Sequence, residues 1–233
     1  MIKAIAWDID GTLVDSEPLH LFALDEVCRR HDVDISDLDD THFVGVHIGN
    51  VWKELQPRFP ATLSFEAWSP QLNQTFAENS GRLVEIEGAA AVIQDFAAMN
   101  LRQVAVSNSN RAVVDANLNA IGVVGFMDFS LSLDDVCEGK PDPFPYRYAC
   151  YRLGLDPSEV LAVEDSATGV ASARAAGLPV AFLQAAAGTP RGPAIPISAL
   201  SELPDVIADL GGPPTNVREF RERPQARRHL REA

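Results

Sequence analysis

The sequence predicts an α/β fold: a Rossmann-like parallel sheet core with an inserted all-helical cap domain. An apolar segment at residues 2–7 reads as a short buried strand. From residue 89 to residue 182, helical patterns alternate with short apolar strands, which is typical of parallel sheets covered on both faces. Between these regions, residues 32–83 carry helical patterns and no good strand. We therefore expect a helical insertion over the carboxyl edge of the sheet, where open α/β sheets bind ligands.

The individual elements follow from the spacing of apolar residues. In residues 17–30, Leu21, Leu24, Val27 and Cys28 recur at helical spacing and predict one amphipathic helix. Further helices are predicted at residues 51–55, 65–76, 89–99, 112–121, 145–153, 168–176 and 198–210. Further strands are predicted at residues 104–106, 126–133, 160–163 and 179–182. The resulting regions are a core of residues 1–16 and 84–210, a helical cap of residues 17–83, and a basic C-terminal tail of residues 211–233.

The composition is that of an ordinary soluble globular protein. Of the 233 residues, 46% are hydrophobic and 22% are charged. A net charge of −14 argues against nucleic acid as a partner, and an anionic substrate would need a local cationic site. Three cysteines without C-x-x-C spacing argue against a zinc site or a disulfide framework. Without a signal peptide or a membrane-spanning apolar run, we expect a cytoplasmic protein without membrane contact, a monomer or weak dimer.

The first strand ends on two acids, Asp8 and Asp10, with Gly11 and Thr12 directly behind them. Side chains alternate along a strand, so both carboxylates leave the sheet on the same side. Charges this close repel each other unless a cation lies between them or a proton is shared. A divalent cation would supply that charge, and an aspartate is a competent nucleophile toward phosphorus. The alternative is an acidic turn in which Asp15 caps the next helix.

Three further segments place reactive side chains at strand ends. Ser107 and the backbone N–H groups behind it have the arrangement of a phosphate cradle, although Ser109 would equally serve as a helix N-cap. Lys140, one of only three lysines, lies in a loop fixed by two prolines, where a rigid ammonium neutralises a phosphate and a carboxylate together. A solvated loop lysine is the alternative there. Glu164 and Asp165 end another strand as paired acids, which suit a hard cation.

In this order, the four segments resemble the motifs of the haloacid dehalogenase superfamily, in its phosphatase and mutase branch. Asp8-x-Asp10-Gly-Thr matches the first motif, Ser107 the second, Lys140 the third and Glu164-Asp165 the fourth. The resemblance covers residues 1–185, and residues 15–20 are typical of β-phosphoglucomutase and the small sugar-phosphate phosphatases. It implies a Rossmann-like core with a helical cap, a Mg²⁺ cofactor and a covalent aspartyl-phosphate.

The resemblance also implies residue roles. Asp8 would attack phosphorus in line, supported by Mg²⁺ and Lys140. Asp10 would stay protonated to protonate the leaving oxygen, and would then take a proton from water. His20 matches a cap position that hydrogen-bonds this acid/base aspartate, with an ordinary exposed helix histidine as the alternative. The candidate metal ligands are Asp8, Asp10, Glu164 and Asp165, with the side chain of Asp10 expected to point away from the metal. The candidate phosphate- and substrate-binding residues are Gly11, Thr12, His20, Ser107, Asn108 and Ser109.

Other activities of the superfamily are separable by sequence. Asp10 argues against a haloacid dehalogenase, because a leaving halide needs no proton. A phosphonatase needs a cap lysine, but Lys53 lies mid-helix and not at the expected position. A mutase needs a cap arginine, which would align near Ile48, and no arginine stands there. Hydrolysis is therefore preferred, and a β-phosphoglucomutase-like mutase is the runner-up, in which Arg82 or Arg111 would replace the missing arginine. A non-catalytic binding protein on the same fold is a further alternative.

We therefore expect a Mg²⁺-dependent phosphatase that hydrolyses a small phosphorylated metabolite, such as a sugar phosphate. In this superfamily the cap loops select the substrate. Here those loops show no decisive pattern at their candidate positions, which are Val44, His47, Trp52 and Arg58.

Overall fold

The predicted α/β fold is confirmed by a computed structural model, which describes residues 1–39, 41–44, 46–184 and 194–211. The predicted basic tail lies outside the described residues, apart from its first glycine. The strands, numbered in chain order, are β1 (Ala4–Trp7), β2 (Val14–Asp15), β3 (Val84–Glu85), β4 (Arg102–Val106), β5 (Phe129–Leu131), β6 (Val160–Glu164), β7 (Val180–Leu183) and β8 (Ile195–Ile197). The α-helices are α1 (Glu17–Arg30), α2 (Ile48–Leu55), α3 (Phe65–Glu78), α4 (Ala89–Ala98), α5 (Arg111–Ala120), α6 (Phe144–Leu153), α7 (Ala167–Ala176) and α8 (Leu203–Asp209).

Six of these strands form one parallel sheet in the order β5-β4-β1-β6-β7-β8. Strand β1 lies in the middle, with Ala6 opposite Val104 of β4 and Ala162 of β6. Because parallel strands end at the same edge, the residues after β1, β4 and β6 lie next to one another. This edge carries the predicted site.

Both faces of the sheet are covered, which explains why its strands are apolar throughout. Ile5 and Trp7 point to the face that packs against α4, where the Trp7 ring stacks on Phe96 at 6.1 Å. Ala4 and Ala6 point to the other face, against α6 and α7. The small side chains of β1 on this second face leave room for large residues such as Tyr146, which is fully buried.

Helices α1, α2 and α3 lie between β2 and β3 and share an apolar cluster of their own. Val27, Leu55 and Trp68 are at its centre, and Trp52 and Phe59 stack within it at 5.6 Å. The division into a core and a cap stays a prediction, and this separate cluster supports it.

The chain leaves the sheet and returns to it through a two-stranded antiparallel pair. Val14 pairs with Glu85 and Asp15 with Val84. The Ile86 N–H also donates to the Leu13 carbonyl at 3.0 Å. The sequence analysis missed this pair, because strands of two residues carry no periodic signal.

Two predicted elements differ from the structure, and one observed strand was not predicted. Strand 126–133 is shortened to β5, because one-turn 3₁₀ helices occupy Val124–Phe126 and Leu133–Asp135. Helix 198–210 begins later, at α8, with Pro204 in its first turn, where proline is tolerated. Strand β8 was missed; it is three residues long with Pro196 at its centre, which an edge strand permits. Among the described helices, none is long and apolar enough to cross a membrane.

Candidate active site

The predicted residues meet at the carboxyl edge of the sheet. Asp8 directly follows β1, Ser107 follows β4, and Glu164 is the last residue of β6. Lys140 arrives from the loop between β5 and α6 and reaches over this edge. The parallel topology thus collects residues that are separated by up to 157 positions in the chain, from Asp8 to Asp165.

Lys140 is buried between two carboxylates. Its Nζ lies 2.7 Å from Asp8 Oδ1 and 2.6 Å from Glu164 Oε1, and its side chain is 3% exposed. Burial alone lowers the pKa of Lys140, but the attraction of Asp8 and Glu164 raises it well above its usual value, so the ammonium is charged. Burial raises the pKa of Asp8, and Lys140 opposes that shift. The solvated-lysine alternative is therefore wrong.

Asn108 fixes the loop that carries Lys140. Its Nδ2 donates to the Lys140 carbonyl at 2.9 Å, and its Oδ1 accepts from the Lys140 N–H at 2.8 Å. A Cβ on Gly139 would lie 2.9 Å from the same Oδ1, so the loop passes close to Asn108. The Asn108 side chain thus holds the Lys140 backbone, and the predicted binding of phosphate or substrate by Asn108 stays a prediction.

A second acid, Asp165, joins this group, and we call Asp8, Lys140, Glu164 and Asp165 the acidic pocket. Its three carboxylates offer ligand atoms that all lie within 4.8 Å of one another. Burial, with the charge of Glu164, raises the pKa of Asp165 to about 6. One ammonium balances one of three carboxylates, which leaves two negative charges. The donor set therefore fits a divalent cation that prefers oxygen ligands, such as Mg²⁺.

Two glycines make room for the carboxylates of the acidic pocket. A Cβ on Gly169 would lie 1.9 Å from Glu164 Oε2, and one on Gly11 would lie 2.1 Å from Asp165 Oδ2. Gly11 also has φ +82°, which favours glycine. Thr12 Oγ1 lies 3.5 Å from Asp165 Oδ1. Gly11 and Thr12 thus contact Asp165, and their binding of phosphate stays a prediction.

Tyr146 supports the acidic pocket from inside the core. Its hydroxyl donates to Glu164 Oε1 at 2.5 Å, and its ring lies 5.1 Å from Lys140 Nζ. Burial raises the pKa of Tyr146 well above its usual value, so the hydroxyl keeps its proton and remains a donor.

Asp10 lies in a different environment, which we call the donor cradle: the side chains of Ser16, Ser107, Ser109 and Asn117. Oδ1 accepts from Ser16 Oγ at 2.7 Å and from Asn117 Nδ2 at 2.9 Å. Oδ2 accepts from Ser107 Oγ at 3.1 Å and from Ser109 Oγ at 2.9 Å. His20 Nε2 lies 3.6 Å from Oδ1, and the His20 ring packs on Phe76.

The donor cradle bears on the charge of Asp10 and on its relation to a metal. Burial raises its pKa, but His20 and the hydroxyls of Ser16 and Ser109 more than reverse this and hold the pKa well below its usual value. Asp10 is therefore ionised in this arrangement, and its protonated form, expected for the step in which the leaving group departs, stays a prediction. Its side chain lies outside the group of Asp8, Glu164 and Asp165 that could hold a metal, which agrees with the expectation that it points away from the metal. Asp10 as a metal ligand stays a prediction.

The predicted serines serve Asp10 in this structure. The Ser107 hydroxyl also accepts from the Ser109 N–H at 2.9 Å, which shapes the turn after β4. For the Ser107 hydroxyl to donate to a phosphate, it would have to leave Asp10, because a hydroxyl has one proton. The roles of Ser107 and Ser109 in phosphate binding stay predictions.

Most of the cap positions considered for specificity have structural partners. Trp52 is buried in the aromatic cluster of the cap, and Arg58 pairs with Asp37. His47 accepts from the Gly49 N–H at 3.1 Å and caps α2. Val44 differs, because it is 47% exposed.

The two arginines considered as substitutes for a mutase arginine are also engaged. The Arg111 guanidinium bonds Asp115, Ser130 and Asp135 of the core. The Arg82 guanidinium lies 3.9 Å from the centre of the Phe22 ring. These contacts weaken the case for a mutase.

Sequence reasoning missed several residues of the site. Asn117 and Tyr146 lie within helices and were read only as parts of them, and Gly169 was read as part of a helix start. One signal was available for Asn117: it is a polar residue in the apolar stripe of α5, beside Val113, Val114 and Leu118.

Comparison with known proteins agrees with this geometry. A family model of haloacid dehalogenase-like hydrolases matches residues 2–177. The plasmid-encoded phosphoglycolate phosphatase of Cupriavidus necator is 30% identical over 206 residues, which cover 82% of this chain and 84% of that protein. Validoxylamine A 7′-phosphate phosphatase of Streptomyces hygroscopicus subsp. limoneus is 27% identical, over 76% of this chain and 84% of that protein. The crystal structure of CbbY from Rhodobacter sphaeroides in complex with phosphate has a TM-score of 0.76 at 24% identity, over 87% of this chain and 96% of that chain, and shows the same fold.

Proposed function

This chain belongs to the haloacid dehalogenase-like hydrolase family and is a phosphoric monoester hydrolase, and we propose that it hydrolyses a small phosphorylated metabolite of the sugar-phosphate class through a phosphorylated Asp8. The observation that carries this proposal is the opposite environment of two carboxylates on one strand end. Asp8 lies against Lys140, and Asp10 lies in the donor cradle. Phosphoryl transfer by this route needs one nucleophile and one acid/base group.

In the first half-reaction, an Asp8 oxygen attacks phosphorus, a P–O bond to Asp8 forms and the ester P–O bond breaks. Lys140 favours the charged form of Asp8, against the effect of burial, and opposes the negative charge of the phosphoryl group. The leaving alkoxide takes a proton from Asp10, which requires Asp10 to weaken its bonds to the donor cradle and take up a proton on substrate binding.

In the second half-reaction, water attacks the phosphoryl group on Asp8. Asp10 accepts a proton from this water, and inorganic phosphate and free Asp8 result. The ionised form of Asp10 in the donor cradle is the form that this step requires. The side chain of Asp10 is 28% exposed, so the carboxylate remains open to the cleft.

Asp8, Glu164 and Asp165 would hold the Mg²⁺ ion. When bound, the ion supplies positive charge that stabilises the phosphoryl group and balances the two excess negative charges of the acidic pocket. The fully buried Glu164, fixed by Tyr146 and Lys140, would serve as a preorganised ligand.

The substrate class rests on the relatives. Phosphoglycolate and validoxylamine A 7′-phosphate, named for two of them, are both small organic phosphate monoesters. A crystal structure of the D10N mutant of Rhodobacter sphaeroides CbbY is a complex with xylulose-1,5-bisphosphate. We infer a substrate of similar size for this chain.

The decisive experiment is a panel of phosphorylated metabolites assayed for phosphate release. With Mg²⁺ present, we expect at least one small sugar or carboxylic acid phosphate to be turned over. Exhaustive chelation should abolish that turnover, and added Mg²⁺ should restore it. Full turnover after chelation would contradict the metal assignment, and no phosphate release from any compound would contradict the proposed function.

A further inference from the structure

Asn117 has a contact to the reactive centre that the family resemblance does not explain. It lies on α5, is fully buried, and donates from Nδ2 to Asp10 Oδ1 at 2.9 Å across 107 positions of sequence. Its neighbours on the buried face of this helix are Val113, Val114 and Leu118. A leucine would suit this face, so a polar side chain here needs a reason.

The carboxamide of Asn117 is only half satisfied. A carboxylate only accepts hydrogen bonds, so the NH₂ group must face Asp10. The Oδ1 atom is then left buried, and it has no hydrogen-bond partner among the described residues. An unsatisfied buried carbonyl destabilises a fold. Asparagine at this position therefore costs stability, and what it provides in return is the contact to Asp10.

The other donors to Asp10 belong to the helical insertion and to the loop after β4, the parts of the protein that we expect to move or to change partners during turnover. Ser16 lies where the chain enters the helical insertion, and His20 lies on its first helix. Ser107 and Ser109 lie in the loop after β4, where a phosphate is predicted to bind and to compete for their hydroxyls. Asn117 differs, because α5 is a core helix and the side chain has no access to solvent or substrate.

We propose that Asn117 is a positioning residue for the acid/base step: it is the fixed donor that keeps Asp10 in place while the serines and the cap change partners. This inference rests on the proposed function, in which Asp10 transfers the protons. Without Asn117, the remaining donors to Asp10 are those that change partners when the substrate binds or the cap moves. The Asp10 carboxylate then has no fixed position. Misplacement of a reacting group by about 1 Å can cost about 100-fold in rate.

The test is Asn117→Leu, which keeps the branched shape of the side chain and removes both the donor and the unsatisfied oxygen. Two substrates of similar size separate proton transfer from general damage: p-nitrophenyl phosphate, whose leaving group needs no proton at neutral pH, and phenyl phosphate, whose leaving group does. We expect kcat for phenyl phosphate to fall about 10- to 100-fold more than kcat for p-nitrophenyl phosphate. The midpoint of guanidinium unfolding should stay the same or rise.

Asn119→Leu is the matched control, because Asn119 is exposed on the same helix and its side chain bonds only the Asp115 carbonyl among the contacts described. It should leave the ratio of the two kcat values unchanged. If Asn117→Leu does not fold, Asn117→Ala removes the donor without adding bulk and should show the same selective loss. An equal loss on both substrates, or a selective loss in Asn119→Leu as well, would overturn the inference.

The inference and the proposed function fail in different ways. If Asp10→Asn discriminates between the two substrates and Asn117→Leu does not, only the role of Asn117 is wrong. If Asp10→Asn shows no discrimination, the assignment of Asp10 as acid/base is wrong, and the role of Asn117 falls with it.

Discussion

The acidic pocket and the donor cradle both adjoin the end of β1, and they surround their aspartates with different groups. Asp8 has an ammonium at 2.7 Å and two further carboxylates nearby, so its charge depends on cations. The side chain of Asp10 lies outside the group of carboxylates that could hold a metal. Three hydroxyls and a carboxamide stabilise its charge. A single residue, Ile9, thus separates a cation-dependent carboxylate from a hydrogen-bonded one. This difference assigns them different chemistry.

The largest effect is expected from Asp8→Asn, which removes the nucleophile on the cation-dependent side. An amide cannot form the phosphorylated intermediate, so turnover should fall at least about 1,000-fold. The fold should survive, because the neutral amide lessens the repulsion with Glu164 and Asp165. Phosphate release and the unfolding midpoint should be measured together. Residual turnover near the wild-type level would show that the two aspartates are not divided as described.

The next effect is expected from Asp10→Asn, which tests the hydrogen-bonded side. Loss of acid/base catalysis should slow the hydrolysis of alkyl phosphates about 100-fold or more, with a smaller loss for activated aryl phosphates. The comparison requires kcat for both substrate types with saturating Mg²⁺. Affinity for Mg²⁺ should change little, since the Asp10 side chain lies outside the acidic pocket. A large loss of Mg²⁺ affinity would show that the Asp10 side chain is itself a metal ligand.

A smaller effect, confined to the acidic pocket, is expected from Gly169→Ala. The new Cβ would collide with the Glu164 carboxylate, which has to turn away from Lys140 and Tyr146. We expect Mg²⁺ affinity to fall about 10- to 100-fold. Calorimetric titration of Mg²⁺ measures this without turnover. Gly81→Ala is the control, because a Cβ there meets open space, and it should bind Mg²⁺ as the wild type does.

The smallest effect concerns pH and also separates the two sides. The pKa of Asp165 rises from 3.8 to about 6 in the fold, so its ionisation costs the metal-free protein stability as pH increases through this range. Bound Mg²⁺ favours the ionised form, so the stabilisation by Mg²⁺ should shrink below pH 6, by about 1.4 kcal/mol for each pH unit. Thermal unfolding with and without Mg²⁺ at pH 7.5 and pH 5 measures the change.

Asp165→Asn provides the control for this pH effect. The asparagine does not titrate in this range, so the remaining stabilisation by Mg²⁺ should depend less on pH than in the wild type. Asp10 does not interfere, because its pKa lies below its usual value and it stays ionised at both pH values. An equal pH dependence in the variant would place the titrating group elsewhere.

The acidic pocket was the more predictable side, for a physical reason. Its three carboxylates are directly attached to strand ends, and a parallel sheet brings strand ends together whatever the details of packing. Asp8, Glu164 and Asp165 could therefore be grouped before any coordinates, and Lys140, which lies in the loop after β5, was added by the family motif. The charge state of Asp10 could not be predicted, because it depends on hydrogen-bond donors from the start of the helical insertion, from the loop after β4 and from α5.

The same reasoning explains which parts of the fold were missed. Helices α1 and α4 have periodic apolar patterns, and strands β1 and β6 are buried and mostly apolar. These patterns are long enough to be recognised from the sequence alone. The pair β2–β3 and the edge strand β8 have two or three residues each and form only because the rest of the chain holds them together.

The pair β2–β3 also bears on how this architecture can diversify. The 68 residues from Ser16 to Leu83 form an excursion that starts and ends at one antiparallel ladder. The entropy of closing such an excursion grows only with the logarithm of its length, so doubling it costs about 0.6 kcal/mol. Residues can thus be gained or lost inside the excursion while Asp8 and Glu164 stay where the sheet puts them. A new substrate range is then reached by exchanging the excursion, and the reactive edge is inherited unchanged.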